Sequence, residues 1–386
     1  MRQRDDLVFS MEEFARRVAE LRRRMEAAGV EVMLTTTPEN ICYLSGFESP
    51  GHYWFQGLIV PLEGEPIALM RRLERLGYEV LTWLEHIESY EDSQDPMQRL
   101  RDCLEQAGLS DKRIGYEKDC WFFTALQQEH LFAKCPNAQF IDCSGLVEQG
   151  RLIKSEAELA LMRQAAQAAE AGMEAGVEAV HEGVCEDDVA AAMQYAMTKA
   201  GSHWPSIAPF VASGERGAIG HATWMGRRIQ RGDSIFLEIG GCRYRYHAAI
   251  LRTVVVGEVD HDTQTAFEVV QEAFEATVAT IRPGVSAETV DAVARNIIAK
   301  SSFGGTQASR TAYSIGIGLP PDWGEGQILS MKPGEERPLQ ANMTFHLLPW
   351  VQIPGKGGIG CSETIRVTEH GCERLTHYPR ALLVCA

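Results

Sequence analysis

The stretch Phe210–Thr253, FVASGERGAIGHATWMGRRIQRGDSIFLEIGGCRYRYHAAILRT, decides how the chain is read. A glycine-rich turn, SGERGAIG, runs into His221. Arg231-Gly232-Asp233 reads as a second turn, and Ser234–Ile239 as an apolar strand carrying one carboxylate, Glu238. A second strand brings Tyr244, Tyr246 and His247 and closes on Arg252-Thr253. Strands fix side-chain geometry, and acidic and basic groups held on neighbouring strands are what proton-transfer chemistry needs.

Upstream of this stretch the pattern is that of an α/β domain. Ser10 with Glu13 forms a capping box, and Phe14, Val18, Leu21 and Met25 recur at helical spacing up to Ala28, before Gly29. Val32–Thr36 reads as a strand and Asn40–Leu44 as another local element. The loop at 45–56 then carries Phe47, His52, Tyr53, Trp54 and Phe55 beside Glu48. Its Pro50-Gly51 pair and polar neighbours suit a ligand-facing or interface loop, with Phe47 and Trp54 as candidate substrate contacts, although aromatic runs more often build core. Apolar strands alternate with helical stretches up to Gly150, which gives an N-terminal α/β domain over 1–150. A second capping box, Ser155 with Glu158, opens a region expected to run over 151–386. There the long helix carries Leu159, Met162, Ala166, Ala169, Met173 and Val177 on one face. Helices are also expected over 186–200, 263–281 and 287–300, followed by strands, an α+β pattern.

Composition excludes several functions. At 386 residues, with 45% apolar and 23% charged residues, the chain can bury a sizeable core. A net charge of -16 opposes binding to nucleic acid or anionic membranes and suits a small cationic or zwitterionic ligand. The ten cysteines are scattered and none has C-x-x-C spacing, so reduced, buried thiols are expected. The N-terminus lacks the apolar core of a signal peptide and no run of about 18 apolar residues occurs, so the expectation is a soluble, cytoplasmic protein.

The segment Ser213-Gly214-Glu215 to His221, with Glu238 and Arg252-Thr253 at their spacings, resembles the creatinase/aminopeptidase P/prolidase superfamily. So does the linker from Ile153-Lys154-Ser155 to Met162-Arg163. The resemblance covers essentially the whole chain. It implies an α/β N-terminal domain, an α+β "pita-bread" (creatinase-like) C-terminal domain, and a homodimer in which loop 45–56 of one subunit reaches the other's site. Peptidases of this superfamily hold two metal ions on two Asp, one His and two Glu. Here those positions fall on Glu238, Ala249, Ile315, Leu348 and Ser362, with Glu363 one place along. Oxygen-ligand sites need several anionic donors, so neither metal nor other cofactor is expected.

Two metal-independent branches, creatinase and ectoine hydrolase, are therefore relevant. The second is more similar, through Phe236-Leu237-Glu238-Ile239, Arg310-Thr311-Ala312-Tyr313, the run Pro320-Pro321-Asp322-Trp323-Gly324-Glu325, and Met343 to His346. Loop 45–56 departs from that branch; if the loop reads the ring, the substrate is a relative of ectoine rather than ectoine itself. The implied reaction is hydrolysis of a C–N bond in a small cyclic amidine to an N-acetylated diamino acid. Guanidine hydrolysis releasing urea, a metal-dependent X-Pro peptidase and an inactive ligand-binding homologue are the alternatives.

Such chemistry needs a nucleophile, a cation holder and a proton donor for the departing nitrogen. Glu238 is the candidate nucleophile or base, since an unpaired carboxylate in an apolar strand calls for a cationic partner. The resemblance makes His221 the proton donor or shuttle. His247 is placed to orient Glu238 or the substrate, and Glu363 to hold the cation if a bulge corrects its one-place offset. His346, Asp322, Trp323 and Glu325 are candidate substrate contacts, the turn at 320–325 offering carboxylates and an indole. Tyr313 and Arg310 are candidates for a substrate carboxylate.

Overall fold

Ser10 accepts a hydrogen bond from the Glu13 amide and starts α1 (Met11–Ala28), which ends at Gly29 in the left-handed conformation, φ 70°. Phe14, Val18, Leu21 and Met25 face inward, as their spacing predicts. The computed structural model describes residues 1–306 and 309–385. It divides into two compact units, Met1–Arg151 and Leu152–Ala386.

In the first unit, β1 (Val32–Thr35), β2 (Gly57–Pro61), β3 (Ile67–Arg71), β4 (His86–Tyr90), β5 (Arg113–Tyr116) and β6 (Gln139–Asp142) form one mixed sheet. Its order is β4-β3-β2-β1-β5-β6. Helices α2 (Pro38–Ser45), α3 (Arg75–Leu81), α4 (Pro96–Gln106), α5 (Ala125–Lys134) and α6 (Glu148–Leu152) connect it. The expected local element at Asn40–Leu44 is thus part of a helix, started by Pro38 in its first turn.

The aromatic loop splits in two. Phe47 is buried and stacks on Tyr78 at 3.6 Å between ring centroids, so it is a core residue and its assignment as a substrate contact is corrected. Trp54 stays 43% exposed, with the Arg71 guanidinium 4.4 Å from its ring centroid.

In the second unit, α7 (Glu156–Ala179) opens with the Ser155–Glu158 capping box and is followed by α8 (Glu186–Lys199). Strands β7 (Phe210–Ser213), β8 (Ser234–Arg243) and β9 (Tyr246–Val256) follow, then α9 (His261–Thr280) and α10 (Ala287–Lys300). The tail supplies β10 (Ala312–Ser314), β11 (Ser330–Met331), β12 (Thr344–Leu347) and β13 (Trp350–Ile353). It continues with β14 (Gly357–Gly360), β15 (Glu363–Val367), β16 (Cys372–Arg374) and β17 (Leu383–Cys385).

These build a four-stranded sheet β17-β9-β8-β7, a five-stranded sheet β11-β10-β12-β15-β16, and the hairpin β13-β14. One face of β8 and β9, through Leu237, Ile239 and Ile250, packs on α7 and α8. The approach is close: a Cβ on Gly241 would lie 2.0 Å from the Ala165 carbonyl oxygen, so only glycine fits there. Among the described residues no helix is long and apolar enough to cross a membrane.

Candidate active site

Alternation along β8 turns Glu238 and Gly240 away from the helices, while Leu237 and Ile239 enter the core. Across the ladders Glu238 pairs with Phe210 and Leu251, and Gly240 pairs with Ala249. Cross-strand partners share a face, so the carboxylate stands among hydrocarbon side chains. Glu238 is only 6% exposed. Burial, with the Asp322 charge adding to it, pushes its carboxyl up to about 8.

The turn at 320–325 closes over this face. Trp323 is buried, and a Cβ on Gly240 would lie 2.7 Å from its Cε3, so the glycine admits the indole against the strand. Phe210 meets Trp323 edge to face at 5.7 Å, and the His221 ring stacks on Phe210 at 5.8 Å. His221 is exposed and takes a left-handed backbone, φ 64°, at the end of the glycine-rich turn. Phe210 therefore links Glu238, Trp323 and His221. Asp322 is exposed, and its Oδ1 accepts the Gly324 amide at 3.0 Å.

A polar string runs beside Glu238. The Trp323 indole N–H donates to the Tyr313 hydroxyl at 2.8 Å. That hydroxyl lies 2.8 Å from His346 Nδ1, and Ser362 Oγ lies 2.5 Å from His346 Nε2. Each imidazole nitrogen has a hydroxyl partner, and a neutral ring satisfies both by donating at one and accepting at the other. Burial first, then the Arg310 charge, pushes His346 down to about 3. The 3.8 Å approach of Nδ1 to Glu238 Oε1 is thus a polar contact to a neutral ring, longer than a hydrogen bond, rather than an ion pair. Burial, with Glu238 second, raises the Tyr313 phenol well above its ordinary value. Ser362, met in the sequence only as a departure from a ligand pattern, is the string's far end.

Three sequence assignments are corrected. His247 shares the face of Glu238 but pairs with Cys242, four residues before Leu251 and so about 13 Å along the strand. Its Nδ1 meets the Arg245 carbonyl at 2.8 Å and its Nε2 accepts the Ser206 amide at 3.3 Å; burial pushes it down to about 3. It fastens the hairpin and does not orient Glu238. Glu363 points away from the string. It is buried and paired with Arg252 at 2.6 Å, while burial outweighs that charge and raises its carboxyl. Glu325 is buried and paired with Lys154 at 2.6 Å, so its charge is already answered within the protein.

The residues present do not fit a dinuclear metal site. Ala249 and Ile315 offer hydrocarbon where the family pattern places donors, Leu348 does likewise, and the Ser362 hydroxyl is engaged by His346. Among the described residues no group of three or more His, Cys, Asp or Glu could hold an ion.

Comparison with known proteins gives the lineage. Residues 160–369 match metallopeptidase family M24, and residues 17–153 match the creatinase/prolidase N-terminal domain. The chain is 32% identical to the ectoine hydrolase of Halomonas elongata, with 98% of each chain covered. It is 29% identical to the Xaa-Pro dipeptidase of Pyrococcus horikoshii over 93% of this chain and 96% of that one. Among solved structures, the prolidase from Thermococcus sibiricus matches with a TM-score of 0.87 at 26% identity, covering 98% of this chain and all (100%) of that one. The same two-part pita-bread architecture and full-length likeness to hydrolases place this chain in the creatinase/prolidase-type M24 family.

Proposed function

We propose that the C-terminal unit hydrolyses a C–N bond of a small cyclic amidine, ectoine or hydroxyectoine or a close relative, to an N-acetylated diamino acid, without a metal. The observation that carries this reading is Glu238, a buried carboxylate facing a hydrocarbon-lined site from which the metal donors are gone. A carboxyl lifted to about 8 by burial is protonated at neutral pH before a substrate binds. A bound cation within about 4–6 Å favours the charged form, so an amidinium would ionise Glu238 on arrival.

The ionised oxygen, or a water it deprotonates, then forms a C–O bond to the amidine carbon. The C=N π pair moves to nitrogen, His221 delivers a proton to the departing nitrogen, and the C–N bond breaks. Where Glu238 itself made the bond, water then attacks the same carbon, the Glu238 O–C bond breaks and the carboxylate is restored, so either route consumes one water and forms one amide and one amine. Trp323 and Asp322 flank the cation by its face and its charge. Likeness to the Halomonas elongata ectoine hydrolase supports this substrate class. We also propose a homodimer in which loop 45–56, with Trp54 exposed on it, completes the partner's site.

Chelator-treated enzyme incubated with ectoine should release an N-acetylated diamino acid. No turnover from about pH 6 to 9, a range bracketing the histidine pKa, would overturn the proposal. Urea released from creatine would favour guanidine hydrolysis instead. About two bound metal ions per chain, with Xaa-Pro cleavage that chelation abolishes, would return the chain to the peptidases it resembles.

A further inference from the structure

Arg310 stands at the edge of the polar string, half-buried, with Cζ 4.4 Å from the Tyr313 ring centroid. Other arginines of this unit, Arg252, Arg295, Arg366 and Arg380, each meet a carboxylate. Among the described residues none lies within ion-pair distance of Arg310. The fold nevertheless makes a seat for it. A Cβ on Gly326 would lie 2.6 Å from Nη1 and 2.7 Å from Cζ, so the guanidinium fills the space a side chain would take.

Tyr313 connects this seat to the reacting centre. Its ring carries the guanidinium, while its hydroxyl takes the Trp323 N–H and faces His346, itself 3.8 Å from Glu238. The site is therefore negative at Asp322, and at Glu238 once a bound cation ionises it, and positive at Arg310. A guanidinium stacked on an aromatic ring keeps its N–H edge available, and that planar fork matches a carboxylate in a way an ammonium does not.

We propose that Arg310 binds the carboxylate of a zwitterionic substrate whose cationic carbon is presented to Glu238. This rests on the amidine-hydrolase reading and selects, within it, amidines that carry a carboxylate over simple cations.

The test compares ectoine with its carboxamide, which removes the negative charge and keeps the ring. Arg310→Ala should raise KM for ectoine by about 10- to 100-fold, the loss typical of a hydrogen bond to a charged group, with kcat changed far less. KM for the carboxamide should not move. Arg310→Lys should recover part of the loss, and Gly326→Ala, which pushes on the guanidinium while leaving its charge, should raise KM for ectoine alone. Equal effects of Arg310→Ala on both compounds, or none on either, would overturn the assignment.

Calorimetric binding to the whole enzyme separates this from failure of the underlying reading. If wild type binds ectoine more tightly than the carboxamide but hydrolyses neither, the hydrolase reading falls. Loss of that preference in Arg310→Ala would then still support the carboxylate anchor, and its persistence would sink it. Binding of neither compound would overturn both.

Discussion

Glu238 shows how one side chain can be costly to the fold and useful to the chemistry. The sequence displays it plainly as the single carboxylate in an apolar strand, and from that alone a cationic partner is expected. Sequence could not show which way Arg252 points. It bonds Glu363, and the neighbours of Glu238 across its ladders are Phe210 and Leu251. Glu238→Gln keeps the shape and removes the titration. Turnover should fall by at least about 10²-fold, the low end for losing an acid–base group. The folded-state carboxyl is raised from 4.5 to about 8, so its favourable contribution is complete below about pH 4.5 and is lost as pH rises through about 8. Glu238→Gln should therefore be close to neutral in stability at pH 5 and stabilising by at least about 1 kcal/mol at pH 9. Denaturant midpoints at the two pH values check this, and an equal shift at both would show that the carboxyl is not perturbed.

At the level of elements, the position of β15 explains a residue that sequence placed in the wrong role. Successive strand residues face opposite sides, so Ser362, just before β15, turns to His346 while Glu363 turns to Arg252 and Thr376. No bulge intervenes to reverse them: Glu363 pairs with Leu347 and Thr364 with His346 in unbroken register. Breaking a buried ion pair on one side leaves an uncompensated charge, so Glu363→Gln should destabilise the chain by about 3–5 kcal/mol. At a temperature where the variant stays folded, kcat should be within about twofold of wild type, because Glu363 faces away from the string. A kcat loss as large as that of Glu238→Gln, with little change in unfolding midpoint, would restore Glu363 to the chemistry.

The elements readable in sequence were those with local signals. Capping boxes and an apolar stripe marked α1 and α7, and the expected helix over 287–300 is α10. The short strands β11, β13 and β14 have two to four residues each and exist through partners distant in sequence or through a hairpin, so no local pattern announced them. The Tyr313–His346–Ser362 string was unreadable for the same reason. Its members come from three segments whose register only the folded sheet sets.

At the scale of the whole C-terminal unit, the buried titratable groups set opposing demands on pH. His247 and His346 are depressed from 6.5 to about 3, so their contribution is present above about pH 6.5 and is lost as pH falls through about 3. Glu238 acts in the other direction between 4.5 and about 8. From pH 3 to 4.5 the unfolded chain binds up to two more protons than the native one, and stability should climb by up to about 2.7 kcal/mol per pH unit. From 4.5 to 6.5 the carboxyls of Glu238 and Glu363, both raised by burial, oppose the histidines, which lowers the slope. Above 6.5 the histidines drop out, the raised carboxyls remain, and stability should decline towards pH 8. The expected curve is a dome with its maximum near pH 6.5. Native-state hydrogen exchange of β8 and β9 amides in the full chain, corrected for intrinsic rates, reads this unit separately from the first. Glu238→Gln should weaken the alkaline decline and leave the acid limb, whereas His247→Asn should weaken the acid limb and leave the decline. A profile flat from pH 4 to 8 would refute the assignment of these groups as buried and neutral. If the dome is found, the protein is most stable where Glu238 holds its proton, and an arriving cation must remove that proton for Glu238 to act. Saturation with a cationic ligand should then flatten the decline above pH 6.5, because the occupied site no longer favours the protonated carboxyl.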